Sequence, residues 1–139
     1  MDSVVAFSLA GGGAVLVATL GTFAVLALRG RIDAAPSMRL ALQAGFALLI
    51  VGLASGVAMI VRGEVLINGG HPTLAYDTAG FLKALHGITV HGVLVLPGLA
   101  WLLARTDRPE RERTRLIGCA VGVYSAAAVL VLIVSLARL

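Results

Sequence analysis

The chain has little of what a soluble domain is built from. Only 13% of its 139 residues are charged and 5% are aromatic, while 59% are hydrophobic. With a mean hydropathy of +1.00, that balance lies far from the soluble globular norm of about 25% charged residues. It describes an integral membrane protein whose first partner is the lipid bilayer. A single cysteine, Cys119, excludes an intramolecular disulfide framework and any C-x-x-C redox or metal motif. There is no H-E-x-x-H pair and no G-x-S-x-G elbow, and Gly11-Gly12-Gly13 has neither the preceding strand nor the following lysine of a phosphate loop. No basic stretch precedes the first apolar run, so that run is expected to remain as a span rather than to be cleaved as a signal peptide. The 11 Lys and Arg against 7 Asp and Glu sit between apolar runs rather than on one basic face, which argues against nucleic acid as a partner.

What remains is four apolar runs, at residues 4–28, 40–61, 80–104 and 116–137. Each is long enough to cross a hydrocarbon core of about 30 Å as one helix. Backbone in lipid must satisfy its own hydrogen bonds, so helices are the expected form. The predicted architecture is all-α, a transmembrane four-helix bundle in one domain, residues 1–139. Arg29, Arg31, Arg39, Arg105, Arg108, Arg111, Arg113 and Arg115 fall at one end of such a bundle, and Arg62, Lys83 and Arg138 at the other. The positive-inside rule makes the arginine-rich end cytoplasmic and puts both termini and the middle loop on the extracytoplasmic side of a bacterial inner membrane.

Small residues are placed for close helix packing, which in lipid stands in for hydrophobic drive. Ala10, Ala14 and Ala18 recur in the first run, Gly52-x-x-x-Gly56 in the second and Gly118-x-x-x-Gly122 in the fourth. The two Gly pairs are candidate faces for a homo-oligomer or a larger membrane complex. Ser37 after Pro36, and Asp77-Thr78, read as N-caps of the second and third spans. In the 62–79 loop, Glu64 to Asn68 and Thr73 to Tyr76 flank Gly69-Gly70-His71-Pro72, the pattern of two short strands about a turn, a small hairpin.

The third run carries the chemistry. Lys83, His86 and His91 interrupt it, and counting from Gly80 puts His86 about 9 Å and His91 about 16 Å into the bilayer. Ionisable side chains at such depth are costly and mark functional sites by default. At 100° per residue the two histidines are about 140° apart on an ideal helix, so a shared face would require a π-bulge. Gly87 and Gly92 leave room beside both rings. An intramembrane imidazole can ligate haem iron or a metal, meet a quinone, or relay protons. The other three runs hold no histidine, so a haem would need Met59, an open position or a second copy to complete its axial ligands. Lys83 is placed either to snorkel or to meet an anionic group, and Tyr124 either to bond what His91 holds or to bond a neighbouring helix. A metal ion held by His86 and His91, with His71 or Asp77, is the remaining ligand set.

Lys83-x-x-His86-Gly-x-x-x-His91-Gly-x-x-x-Leu96-Pro97, followed by Ala100-Trp101-Leu102-Leu103, resembles the third span of small bacterial four-helix membrane proteins that have no assigned activity. Many of those have Gln two residues before the Leu-Pro, where this chain has Leu94. The resemblance implies the fold and a site at the third span, and no reaction. Three functions then follow from the residues: an electron-transfer subunit binding b-type haem or quinone through His86, His91, Lys83 and Tyr124; an accessory or assembly subunit with structural histidines; or a metal-dependent membrane enzyme or transporter.

Overall fold

A computed structural model describes the backbone of residues 2–29 and 33–137, with the side chains of 2–7, 9 and 10 outside the description. Arg31, Arg138 and the Ala10 side chain, all used above, therefore lie outside the described residues. The described chain is all-α: α1 (Asp2–Arg29), α2 (Pro36–Asn68), α3 (Pro72–Thr78), α4 (Lys83–Ala104) and α5 (Glu110–Leu136). Four of these, α1, α2, α4 and α5, are long and apolar enough to cross a membrane. They run alternately up and down. One end of the bundle carries the arginine-rich connections and the other carries the middle connection.

No strand forms among the described residues, and the hairpin expected over 62–79 is replaced by helix. The segment from Glu64 to Asn68 simply continues α2, which reaches 33 residues, about 50 Å. Adding residues to an existing helix costs no new nucleus, whereas isolated β-prone residues without a paired strand gain little. Gly69-Gly70 then ends α2 in a Schellman motif. Gly70 adopts φ +80°, its N–H donates to Ile67 O, and His71 N–H donates to Leu66 O. Pro72 opens α3, which folds back on α2 with Ala75 buried. Asp77 and Thr78 thus close α3 instead of capping α4, whose N-terminus has no side-chain cap.

The Ser37 cap is also replaced. Pro36 is the first helical residue and Ala35 the N-cap, and the Ser37 backbone N–H donates to Glu110 Oε1 at 2.7 Å. A carboxylate from the start of α5 thereby satisfies an orphan donor and the positive end of the α2 dipole. The connection itself is only 105–109, since Glu110 to Arg115 form the first turns of α5.

α2 is the hub. It packs on α1, α3, α4 and α5, α4 also packs on α5, and among the described residues α1 rests on α2 alone. The closest pair is α2 with α4, and glycine makes it so. A Cβ on Gly45 would lie 2.9 Å from Val93 Cα, one on Gly52 would lie 2.6 Å from Val90 Cγ2, and one on Gly56 would lie 3.1 Å from His86 Cε1. The Gly52-x-x-x-Gly56 face is therefore consumed within the chain, which corrects its assignment to a partner. Gly118 and Gly122 have open space around them. Ala41, Leu96, Ala100 and Ile117 form the core toward the arginine end, and Leu82, Leu85 and Ala128 the core toward the middle connection.

Gly45→Ala is expected to destabilise the bundle by about 1–3 kcal/mol, because the new methyl meets backbone that cannot move aside. Gly118→Ala, with nothing nearby, should be neutral or gain up to about 1 kcal/mol from helix propensity. Paired unfolding curves in mixed micelles check this, and equal effects of the two changes would contradict the packing described.

Candidate functional site

α4 is α-helical from Lys83 to Ala104 with no π turn, running unbroken through Pro97. The two histidines keep their angular separation and go to different surroundings. His86 turns toward α2, half-buried, with Nδ1 2.8 Å from Gly52 O. His91 is exposed on the outer surface of the bundle, with Nδ1 2.6 Å from Gly87 O in its own helix. A π-bulge realignment is absent, so no single site holds both rings.

The His86 bond decides its chemistry. A carbonyl oxygen can only accept, so Nδ1 carries a proton, and a neutral ring bonded this way has its lone pair on Nε2. This is the arrangement in which a backbone carbonyl orients an imidazole to act as a ligand through its other nitrogen. Gly52 O also accepts from Ser55 Oγ at 2.7 Å, so the carbonyl that orients His86 is itself held in place. Gly56 leaves the ring the room it needs beside α2.

His86 lines a cavity of about 790 Å³ between α1, α2, α3 and the start of α4. Gly12 and Gly13 stand with Leu16 and Val17 on its α1 wall, Gly56 and Met59 stand among Leu53, Val57 and Ile60 on its α2 wall, and Tyr76 and Lys83 also line it. The volume is within the range of about 300–1,000 Å³ usual for small-molecule and cofactor sites. Three of the residues singled out in the sequence, His86, Lys83 and Met59, thus share one cavity. Lys83 is exposed, with its side chain lying back over Gly80, where a Cβ would come within 3.0 Å of Nζ.

The other candidates do not join them. Tyr124 donates to Ile88 O at 2.6 Å, bonding a neighbouring helix, the second of the two roles its position allowed. His71 is an exposed residue at the start of α3, and Asp77 is exposed within it. Among the described residues no group of three or more His, Cys, Asp or Glu is placed to hold a metal ion. Trp101 is exposed at the arginine end with the Arg105 guanidinium 3.6 Å above its ring, as an interfacial anchor would be. Two residues with structural weight were missed by the sequence reading, Glu110 and Arg62. Arg62 stood in the sequence only as a topology charge, and Glu110 was not singled out at all.

Comparison with protein families, curated proteins and solved structures finds no match to this chain.

The geometry separates three substitutions. Tyr124→Phe removes one α5–α4 bond and should cost about 0.5–2 kcal/mol, and His86→Ala should cost a similar amount for the α4–α2 bond. His91→Leu should cost nothing, since the ring is exposed and bonds only its own helix. Unfolding of the three variants in the same micelles tests the ranking, and a loss for His91→Leu as large as the others would overturn it.

Proposed function

We propose that this chain is a small bacterial inner-membrane subunit that binds a redox cofactor, a b-type haem or a quinone, in the cavity beside His86, and serves electron transfer. The observation that carries the reading is the bond from His86 Nδ1 to Gly52 O, which leaves Nε2 without a partner among the described residues on a side chain lining an open, largely apolar cavity between α1, α2, α3 and α4. A lone pair held this way suits coordination to haem iron. It also suits acceptance of a proton from a quinol hydroxyl. It cannot donate a hydrogen bond to a quinone carbonyl while Nδ1–H is committed to Gly52.

Haem fits this donor set better than quinone. Met59 lines the same cavity, and its thioether with the His86 imidazole would hold the iron, a His/Met set found in cytochromes. Lys83 in the lining supplies a cation for a carboxylate substituent. The chain's own contribution is then to orient the imidazole, to exclude bulk from Gly12, Gly13 and Gly56 so that a flat ring system can enter, and to place one positive charge in the lining. On the positive-inside argument the cavity lies in the extracytoplasmic half of the bilayer.

The second reading is an accessory or assembly subunit, favoured by two observations: His86 already has a structural bond to α2, and α5 presents Gly118 and Gly122 on an open face.

Oxidised and dithionite-reduced absorbance spectra of protein purified gently from its native membrane distinguish the two. Haem predicts a Soret band with sharp reduced bands that are lost in His86→Ala, retained in His91→Ala, and shifted in Met59→Leu. Gly13→Leu, which fills the cavity and leaves the His86 bond alone, should lower occupancy with the fold intact. A featureless spectrum together with no extractable quinone would reject the cofactor reading in favour of the docking subunit.

A further inference from the structure

A second cavity, of about 630 Å³, opens at the same end of the bundle on the other side of the α3–α4 elbow, between the far part of α2, α3, the start of α4 and the end of α5. Its chemistry differs from that of the His86 cavity. Arg62 and Lys83 bring two positive charges, Asp77 one negative charge, Thr78 and Ser135 two hydroxyls, and Val131 and Val134 with their α5 neighbours an apolar wall. Arg62 is the telling residue. Its guanidinium carbon sits 4.9 Å from the centroid of the Phe81 ring, a cation–π contact that holds the group over the ring. Its Nε is buried and has no hydrogen-bond partner. The guanidinium as a whole has no hydrogen-bond or ion-pair partner among the described residues, so the part of it that lines the cavity leaves a positive charge for an anion that is not part of the protein. Asp77 does not supply it, since among the described residues neither Arg62 nor Lys83 makes an ion pair.

The cavity therefore keeps a net positive charge beside a hydrocarbon-like wall, at the level where a membrane helix leaves the bilayer. We infer that it binds an anionic phospholipid, with the phosphate between Arg62 and Lys83 and an acyl chain along Val131 and Val134 of α5. The phosphodiester is a monoanion that offers several acceptor oxygens to a guanidinium fork, the pairing for which arginine is best shaped. A free phosphate shares that headgroup chemistry but has no use for the apolar α5 wall. Arg62 lines only this cavity, so Arg62→Gln tests the lipid site apart from the His86 cavity, whereas Lys83 borders both.

The test is lipid retention by delipidated protein offered equal amounts of phosphatidylglycerol and phosphatidylcholine with identical chains, read by native mass spectrometry and by the melting temperature. The expected result is preferential retention of one phosphatidylglycerol, with a matching rise in melting temperature. Arg62→Gln and Lys83→Gln should each weaken the preference about fivefold. Asp77→Asn should strengthen it, a change of sign that a purely structural role would not produce, and Arg115→Gln at the opposite end should leave it unchanged. If Arg62→Gln fails to fold, Lys83→Gln and Asp77→Asn carry the test, as both side chains are exposed. Equal retention of the two lipids, or a preference that survives the charge substitutions, would overturn the site. Displacement of the lipid by inorganic phosphate at the same concentration would overturn the lipid assignment and leave a small-anion site.

Discussion

In lipid, hydrocarbon side chains gain little by leaving one apolar surface for another, so what holds helices together is close packing and the polar bonds that packing permits. This protein closes each pair in its three-helix core with one such bond, always from a side chain to the backbone of the neighbour. Glu110 of α5 accepts from Ser37 N–H of α2, Tyr124 of α5 donates to Ile88 O of α4, and His86 of α4 donates to Gly52 O of α2. Backbone can serve as partner only where it can be reached. Gly45, Gly52 and Gly56 bring α2 against α4, and Gly92, where a Cβ would lie 2.8 Å from Leu48 Cδ1, does the same from the α4 side. The glycines and the polar bonds are two halves of one device.

That device also sets up the site. His86 is both a tie between helices and a candidate ligand, and the first role prepares the second. Bonding through Nδ1 puts a proton there, and Nε2 is left without a partner among the described residues. The unusual length of α2 matters as well. By running on to Asn68 before the Schellman turn, it carries α3 back toward the start of α4, and the elbow from Thr78 to Lys83 separates two cavities of different character. Tyr76, Gly80 and Lys83 border both. One cavity is largely apolar and offers a Lewis base; the other is walled by α5 and offers a guanidinium.

Much of the fold was legible in the sequence, because apolar runs of this length leave a backbone in lipid no alternative to helix. His86 was legible through its depth, Lys83 as a charge beside it and Met59 as a residue that could complete haem ligation, though not their meeting in one cavity, which depends on how α1 and α2 stand beside α4. The middle segment was misread because Val65, Leu66 and Ile67 carry β-propensity that matters only when a partner strand exists. Gly52 and Gly56 were assigned outward because a small-residue spacing names a contact face and not the helix that fills it. Arg62 was read as a topology charge, since nothing local in the sequence says that Phe81, nineteen positions on, will lie beneath its guanidinium. Glu110 was hidden in a run of mixed charges, and its role rests on a bond across 73 positions of sequence.

The central claim is that His86 donates through Nδ1 to Gly52 and holds a bare Nε2 available to a ligand. Solid-state nitrogen NMR of histidine-labelled protein in bilayers, with the His86 signals identified by their loss in His86→Gln, reads this directly. The account predicts a protonated Nδ1 and an unprotonated Nε2 in the cofactor-free protein, with the Nε2 resonance moving when cofactor is added. A proton on Nε2, or an Nε2 signal that cofactor leaves untouched, would contradict it.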